Sequence, residues 1–355
     1  MEKQYLYIAG PECFYPDGDA RLMAFRREAE AAGYGVSLPN DKPLDLTHED
    51  LRKNADAIFG NCAESMNETT AILCDLECFR GPLPDGGSIY ELGMAYGRGL
   101  PCYGYTRDKR PVSWKFRPDG SHTPLAYRDL PFSPNVVGST KIVEGGFSDC
   151  LKVFSLDLEE RRKKEESGCA APIVPLAEEE DGRPTVFLAG PERWAPERDA
   201  LYAQMKALCE QAGLRAVTPA DLAPGAAAVG GEDPYVRAYR QFDSNQRNVR
   251  RCDAVIACLN DYYGWEPESD TAFECGLGFQ LGKKLYGYMD NTGYMKNRVP
   301  NEETEGVYRD PCGCNVENFN YPVNLMFSSS MPIFQGSFAD VIDKIAEDLH
   351  SCCKK

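Results

Sequence analysis

The stretch YLYIAGPE, residues 5–12, returns as TVFLAGPE, residues 185–192. Each is an apolar, β-prone run that stops abruptly at Ala-Gly-Pro, the pattern of a buried strand ending in a turn. Further along, PDGGSIYELG (84–93) returns as PESDTAFECG (267–276), and EGGFSDC (144–150) as QGSFADV (335–341). Three landmarks recur in one order, with a separation that grows slowly along the chain. That is a tandem duplication with small insertions in the second copy.

Each copy alternates strand and helix signals. In the first, strand-like runs fall at 4–9, 35–39, 69–76 and 100–106. Helical patterns fall at 19–32, 47–66, from Ser88 onward and at 147–165. The second copy repeats this with strands at 185–190, 214–218, 253–259 and 283–289, and helices at 197–212, 234–251, 271–282 and 337–351. Such alternation predicts a parallel sheet with helices on both faces, once per copy. The expected division is a first domain over 1–167, a charged then Pro-rich linker over 168–183, and a second domain over 184–355.

Composition narrows the function. The 355 residues suit two domains, and 43% hydrophobic content suffices for proper cores. With 39 basic and 55 acidic residues the net charge is −16, which argues against nucleic acid and anionic membranes as partners and favours small molecules. The opening MEKQYLYIAGPECF has no basic segment followed by an apolar one, and no apolar run reaches the roughly 18 residues of a membrane span. The fifteen cysteines are therefore expected reduced, in a cytoplasmic protein. Cys74, Cys102 and Cys258 sit in apolar runs and read as small hydrophobes. Cys312, Cys314, Cys352 and Cys353 have the wrong spacing for a zinc module, and only three histidines exist, so neither metal nor cofactor is expected.

In parallel sheets, ligands bind beyond the carboxyl ends of the strands. AGPE, CDLECFRGP and PDGGS all fall on that edge. Ser88 with Glu91 three residues on, and Thr271 with Glu274, each read as a capping box, and a capping box alone accounts for either glutamate. The second acid six residues upstream, Asp85 and Glu268, repeats in both copies and points to paired carboxylates facing a ligand.

These residues together resemble the nucleoside 2-deoxyribosyltransferase family, over nearly all of both halves. The resemblance rests on the strand ending in AGP, the Asp-x-Gly-[Ser/Thr]-x-x-Glu-x-Gly helix start within FRGPLPDGGSIYELG, and the late NLM segment at 324–326. It implies two flavodoxin- or Rossmann-like domains paired as a pseudo-dimer, with no cofactor and with nucleosides and nucleobases as ligands. It implies Glu91 and Glu274 as nucleophiles, with Asp85 and Glu268 binding and protonating the base. Tyr7 and Phe187, Gly10 and Gly190, Asp75, Gly87, Ser88 and Thr271 would line the two sites. The mid-domain Asn of the family matches Asn245 and, with a one-residue slip, Asn61. The late Asn, supplied to a neighbouring subunit's pocket, matches Asn324, with Asn135 as its first-half counterpart. Further assembly into a homo-oligomer would fit the family's habit.

The second half departs from the pattern, with Asp270 in place of Gly87, Glu268 in place of Asp85 and Cys258 in place of Asp75. The first half keeps the nucleophile pattern and the second keeps the NLM segment, so Asn324 is expected to complete the Glu91 pocket and the Glu274 site to be weakened. Arg193 replaces Cys13 and reads as a surface charge. Without a basic, Gly-rich cradle at either strand end, free nucleosides are favoured over nucleotides. Chemically, a carboxylate beneath the anomeric carbon attacks it or stabilises its oxocarbenium-like state, while a second acid protonates the leaving base. The helix dipole would favour Glu91 as the anion. Hydrolysis of the glycosidic bond on the same fold, and a nucleotide-sensing module without turnover, remain as alternatives.

Overall fold

The computed structural model describes residues 3–38, 41, 44–115, 127, 129–165, 182–221 and 232–352. The expected linker lies outside them except for Gly182 and Arg183, as does Cys353. The first half runs β1 (Tyr5–Ala9), α1 (Gly18–Ala31), β2 (Gly35–Ser37), α2 (Leu51–Glu68), β3 (Ala71–Asp75), α3 (Gly86–Gly97), β4 (Cys102–Thr106), α4 (Pro134–Ser139), β5 (Lys141–Glu144) and α5 (Phe147–Glu165). The second runs β6 (Thr185–Ala189), α6 (Arg198–Gln211), β7 (Arg215–Val217), α7 (Pro234–Arg251), β8 (Ala254–Cys258), α8 (Ser269–Gln280) and β9 (Lys284–Met289). It continues through α9 (Met295–Arg298), the hairpin β10 (Glu302–Thr304) and β11 (Val307–Arg309), α10 (Leu325–Ser328), β12 (Ile333–Gln335) and α11 (Phe338–Cys352).

Both sheets are five-stranded and parallel, with the same order: β2-β1-β3-β4-β5 and β7-β6-β8-β9-β12. This is the flavodoxin-type arrangement, in which ligands lie where the order reverses, here beside the loops that leave β1 and β3. The fifth strand of each sheet, β5 and β12, carries no sequence signal. Both are short, half-exposed edge strands, too brief to show a buried run.

The halves share a core. One apolar cluster extends from Tyr7 and Ile72 in the first sheet, through Tyr90, Phe273 and Phe327, to Phe187 and Val255 in the second. The outer helices cover separate cores, Leu6, Ile8 and Phe154 in the first half and Val186, Leu188 and Ile345 in the second. At the centre α3 crosses α8, backbone against backbone. A Cβ on Gly93 would lie 2.1 Å from the Phe273 carbonyl oxygen, and one on Gly276 would lie 1.9 Å from that of Tyr90. Any larger residue would force the helices apart. The expected pseudo-dimer is thus built on two equivalent glycines.

The capping box is corrected. Asp85 is the N-cap of α3, its Oδ2 accepting from the Ser88 backbone N–H at 2.7 Å and from the Ser88 hydroxyl at 2.6 Å. Glu268 caps α8 likewise, accepting from the Asp270 and Thr271 N–H groups at 3.0 and 2.9 Å. A carboxylate is the stronger acceptor for the orphan N–H groups of the first turn, so each helix starts on its acid rather than on Ser88 or Thr271. Glu91 and Glu274 then fall in the second turn, with no capping duty.

Candidate active site

A cavity of about 610 Å³ opens at the carboxyl edge of the first sheet. Of the sequence candidates, Gly10, Asp85, Gly87, Ser88 and Glu91 from the first half and Asn324 from the second all line it. Glu91 is almost wholly buried, and the Tyr7 hydroxyl donates to its Oε1 at 2.5 Å. Tyr7, itself fully buried, is therefore both a core aromatic and an orienting group for this carboxylate. Burial pushes the Glu91 carboxyl up to about 8, with the Tyr7 hydrogen bond pulling down and the Asp85 charge pushing further up. This reverses the expectation of a dipole-stabilised anion: the dipole acts within the first turn, which Glu91 has left, and desolvation dominates. Burial also raises Asp85, against the pull of its Ser88 bonds.

The second half closes one side of the cavity with Asn315, Val316, Glu317, Asn318, Phe319 and Asn324. Asn324 caps α10 and sits on α3: a Cβ at Gly87 would lie 2.8 Å from its Nδ2. Gly87 is thus the gap that admits Asn324. The wall is braced by Arg80, which pairs with Asp310 at 3.1 Å and Glu266 at 3.5 Å and donates to the Asn315 carbonyl. Glu266 in turn accepts from the Gly86 N–H at 3.3 Å, at the start of α3. Glu317 is a third carboxylate on the cavity, bonded to the Leu325 N–H at 3.0 Å; burial raises it to about 8 despite Arg80.

Two first-half candidates fall elsewhere. α2 and α7 are both 18 residues long and occupy matching places, which sets Cys62 opposite Asn245 without any slip. Cys62 lines the cavity and Asn61 does not. The slip rested on residue type, and the structure follows helix register instead. Asp75 is buried beside Gly10 and Glu12, accepting from the Glu77 N–H at 2.7 Å, and is absent from the cavity wall. Burial and the Asp75 charge together raise the Glu12 carboxyl above its ordinary value.

In the second half the equivalent place is filled. Arg193 is buried, not a surface charge. Its Nη1 lies 2.8 Å from Glu274 Oε1, its Nη2 2.5 Å from Oε2, and its Nε donates to the Gly190 carbonyl at 3.0 Å. Glu268 and Asp270 approach the same guanidinium at 3.9 and 3.5 Å. Asn135, from the first half, donates through Nδ2 to Glu274 Oε1 at 3.0 Å and through its backbone N–H to Asp270 at 2.8 Å. Asn245 donates to the Asn135 Oδ1 at 3.1 Å. Thr271 donates its hydroxyl to Glu268 at 3.0 Å, and Phe187 is core, without a hydroxyl for Glu274. Each late Asn therefore reaches the opposite half: Asn324 the open site, Asn135 the filled one. The burial of Arg193 had no signal in its neighbours, since its partners lie far along the chain.

Two flavodoxin-like halves sharing one core, each aiming an acid pair at its strand ends, define a duplicated α/β chain. It belongs to the nucleoside 2-deoxyribosyltransferase family, whose profile matches residues 6–147 and again 186–326. A 2-desoxiribosyltransferase from Leishmania mexicana is 29% identical, the match covering 45% of this chain and 97% of that one with a TM-score of 0.36. A conserved protein from Enterococcus faecalis is 14% identical over 47% of this chain and 99% of that one, TM-score 0.31. An uncharacterised protein of Schizosaccharomyces pombe is 31% identical over 114 residues, 30% of this chain and 49% of the relative, so the chain spans about half that relative's length. Among the described residues no helix is long and apolar enough to cross a membrane.

Proposed function

We propose that the chain transfers the 2-deoxyribosyl group between nucleobases, with Glu91 as nucleophile. The observation that carries the reading is Glu91 itself: a buried carboxylate on a cavity of nucleoside size, oriented by Tyr7 and faced by Asn324 from the other half. A Glu91 oxygen attacks the anomeric carbon as its bond to the base nitrogen breaks, and the base leaves with a proton. Asp85 supplies that proton: one oxygen is held in the helix cap while Oδ1 has no protein partner, and its burial favours the protonated form. A second base then attacks the glycosyl–Glu91 ester through a ring nitrogen whose proton passes to Asp85, which restores both the Glu91 carboxylate and the acid.

The described lining residues include the carboxylates Asp85, Glu91 and Glu317 and no Lys, Arg or His. Among these residues a phosphate would find no cation to pair with, which supports uncharged nucleosides as substrates rather than 5′-monophosphates. The test is a base-exchange assay followed by chromatography, with deoxyinosine or thymidine and free adenine or cytosine. New deoxynucleoside that disappears with Glu91→Ala is the expected result. Free deoxyribose without exchange would replace transfer by hydrolysis, and no reaction with any pair would leave a binding module.

A further inference from the structure

We infer that the chain has one reaction centre, because Arg193 closes the other from within as a built-in occupant of the Glu274 site. This rests on the functional reading above but concerns the half to which that reading assigns no chemistry.

The halves can be superposed in thought through their AGPE turns. Cys13 follows the turn in the first half and lines the open cavity beside Glu91. Arg193 follows it in the second, and its guanidinium lies against Glu274 where the first half has open space. Both Glu274 oxygens are taken, Oε2 by Arg193 and Oε1 by Arg193 and Asn135 together. A nucleophilic carboxylate needs an oxygen facing a vacant position, and both oxygens of this one face Arg193 or Asn135 instead. Asp270 adds to the closure. Where Gly87 leaves room for the Asn324 side chain, Asp270 fills that room and binds the Asn135 backbone N–H. Glu268, Asp270, Thr271 and Glu274 are each 1% exposed or less. A second cavity of about 270 Å³ exists, but it is lined by residues such as Asn260, Trp265 and Arg298 and does not reach Glu274.

The arrangement is also self-consistent electrostatically. Three acids converge on a place that holds one cation, and each contributes to holding it. The Arg193–Glu274 ion pair is strongly disfavoured from separating, because either side left alone would be an unpaired charge out of water. Substrate cannot displace Arg193 by a neutral sugar, which offers the acids nothing equivalent.

The experiment uses the wild-type chain, so that no variant needs to fold. Deoxyinosine is mixed with enzyme without acceptor base, and hypoxanthine released in the first turnover is counted by rapid quench. The quenched protein is digested and the glycosylated peptide identified by mass spectrometry. Calorimetric titration with deoxyinosine gives the number of equivalents the chain takes up as a second count. One hypoxanthine per chain, one binding equivalent and an adduct on the Glu91 peptide are expected. Two equivalents, or an adduct on the Glu274 peptide, would overturn the closure by Arg193. Neither burst nor binding would overturn the transferase reading beneath it, a result distinct from the double count.

Discussion

The Tyr7 hydroxyl donates to Glu91 Oε1 across 2.5 Å, and in the matching place of the second half Phe187 has no hydroxyl to offer Glu274. The aromatic ring is needed by both cores; the oxygen serves only one carboxylate. As the proposed nucleophile Glu91 must be ionised to attack, and burial holds its proton up to about 8. The acid limb of kcat/KM should therefore rise with pH, with its midpoint near 8. Tyr7→Phe removes a hydrogen bond that favours the ionised form, so the limb should move about 1–2 pH units higher. A pH profile of both proteins checks this, and an unmoved limb would separate Tyr7 from Glu91.

Stability should respond to the same proton in the opposite sense. The folded state keeps it to about 8, while the unfolded chain releases it near the ordinary value of 4.5. This contribution is fully present below 4.5 and is lost as pH rises through about 8. Glu91→Gln should flatten the fall in stability over that window. Urea denaturation at several pH values measures it, and parallel curves for the two proteins would refute the assignment.

Asn324 reaches the first-half cavity from the second half, in the gap left by Gly87. Asn324→Ala should lower kcat/KM about 10–100-fold, the loss of one oriented polar contact. The missing helix cap should cost only about 1 kcal/mol of stability. Kinetics and thermal melts together distinguish the two effects; full activity would remove Asn324 from the site.

Cys62 occupies the position that Asn245 holds in the other half, on the wall of the open cavity. A thiol is smaller than an amide and a weaker hydrogen-bonding group. Cys62→Asn should narrow the cavity and shift acceptor preference from purines toward pyrimidines, by about tenfold in the ratio of kcat/KM values. Competition between adenine and cytosine reads it directly, and an unchanged ratio would exclude this position from base selection.

Two glycines should behave oppositely. Gly93→Ala drives a Cβ into the Phe273 carbonyl and should cost about 3 kcal/mol or more. Gly60, exposed on α2 with nothing within 4 Å of a Cβ, should gain about 0.5–1 kcal/mol on substitution by Ala. Chemical denaturation of the two variants is the check.

Much of the architecture was legible in the sequence because it rests on local signals. Apolar runs ending at AGP gave β1 and β6, and the 234–251 pattern matches α7 end to end. What escaped depends on competition or on distance. Ser88 has the right chemistry for a cap, but Asp85 outcompetes it. Asn61 has the right side chain, but the helix register aims Cys62 at the cavity. Arg193 looks solvated until Glu268, Asp270 and Glu274 are brought around it by the fold. Charge burial is a property of the tertiary neighbourhood, which a short window cannot contain.

The glycine crossing of α3 on α8 has a consequence for how such a chain can diverge. Across the axis of a homodimer every residue faces the same set of partners on both sides, so a change that fills one pocket fills both. Joining the protomers in one polypeptide keeps the reciprocal approaches of Gly93 to Phe273 and of Gly276 to Tyr90 while releasing that constraint. Cys13 and Arg193 are then free to differ. Symmetry survives at the centre, where the backbones touch, and is broken at the rim, where one subunit's lineage became the wall of the other's pocket.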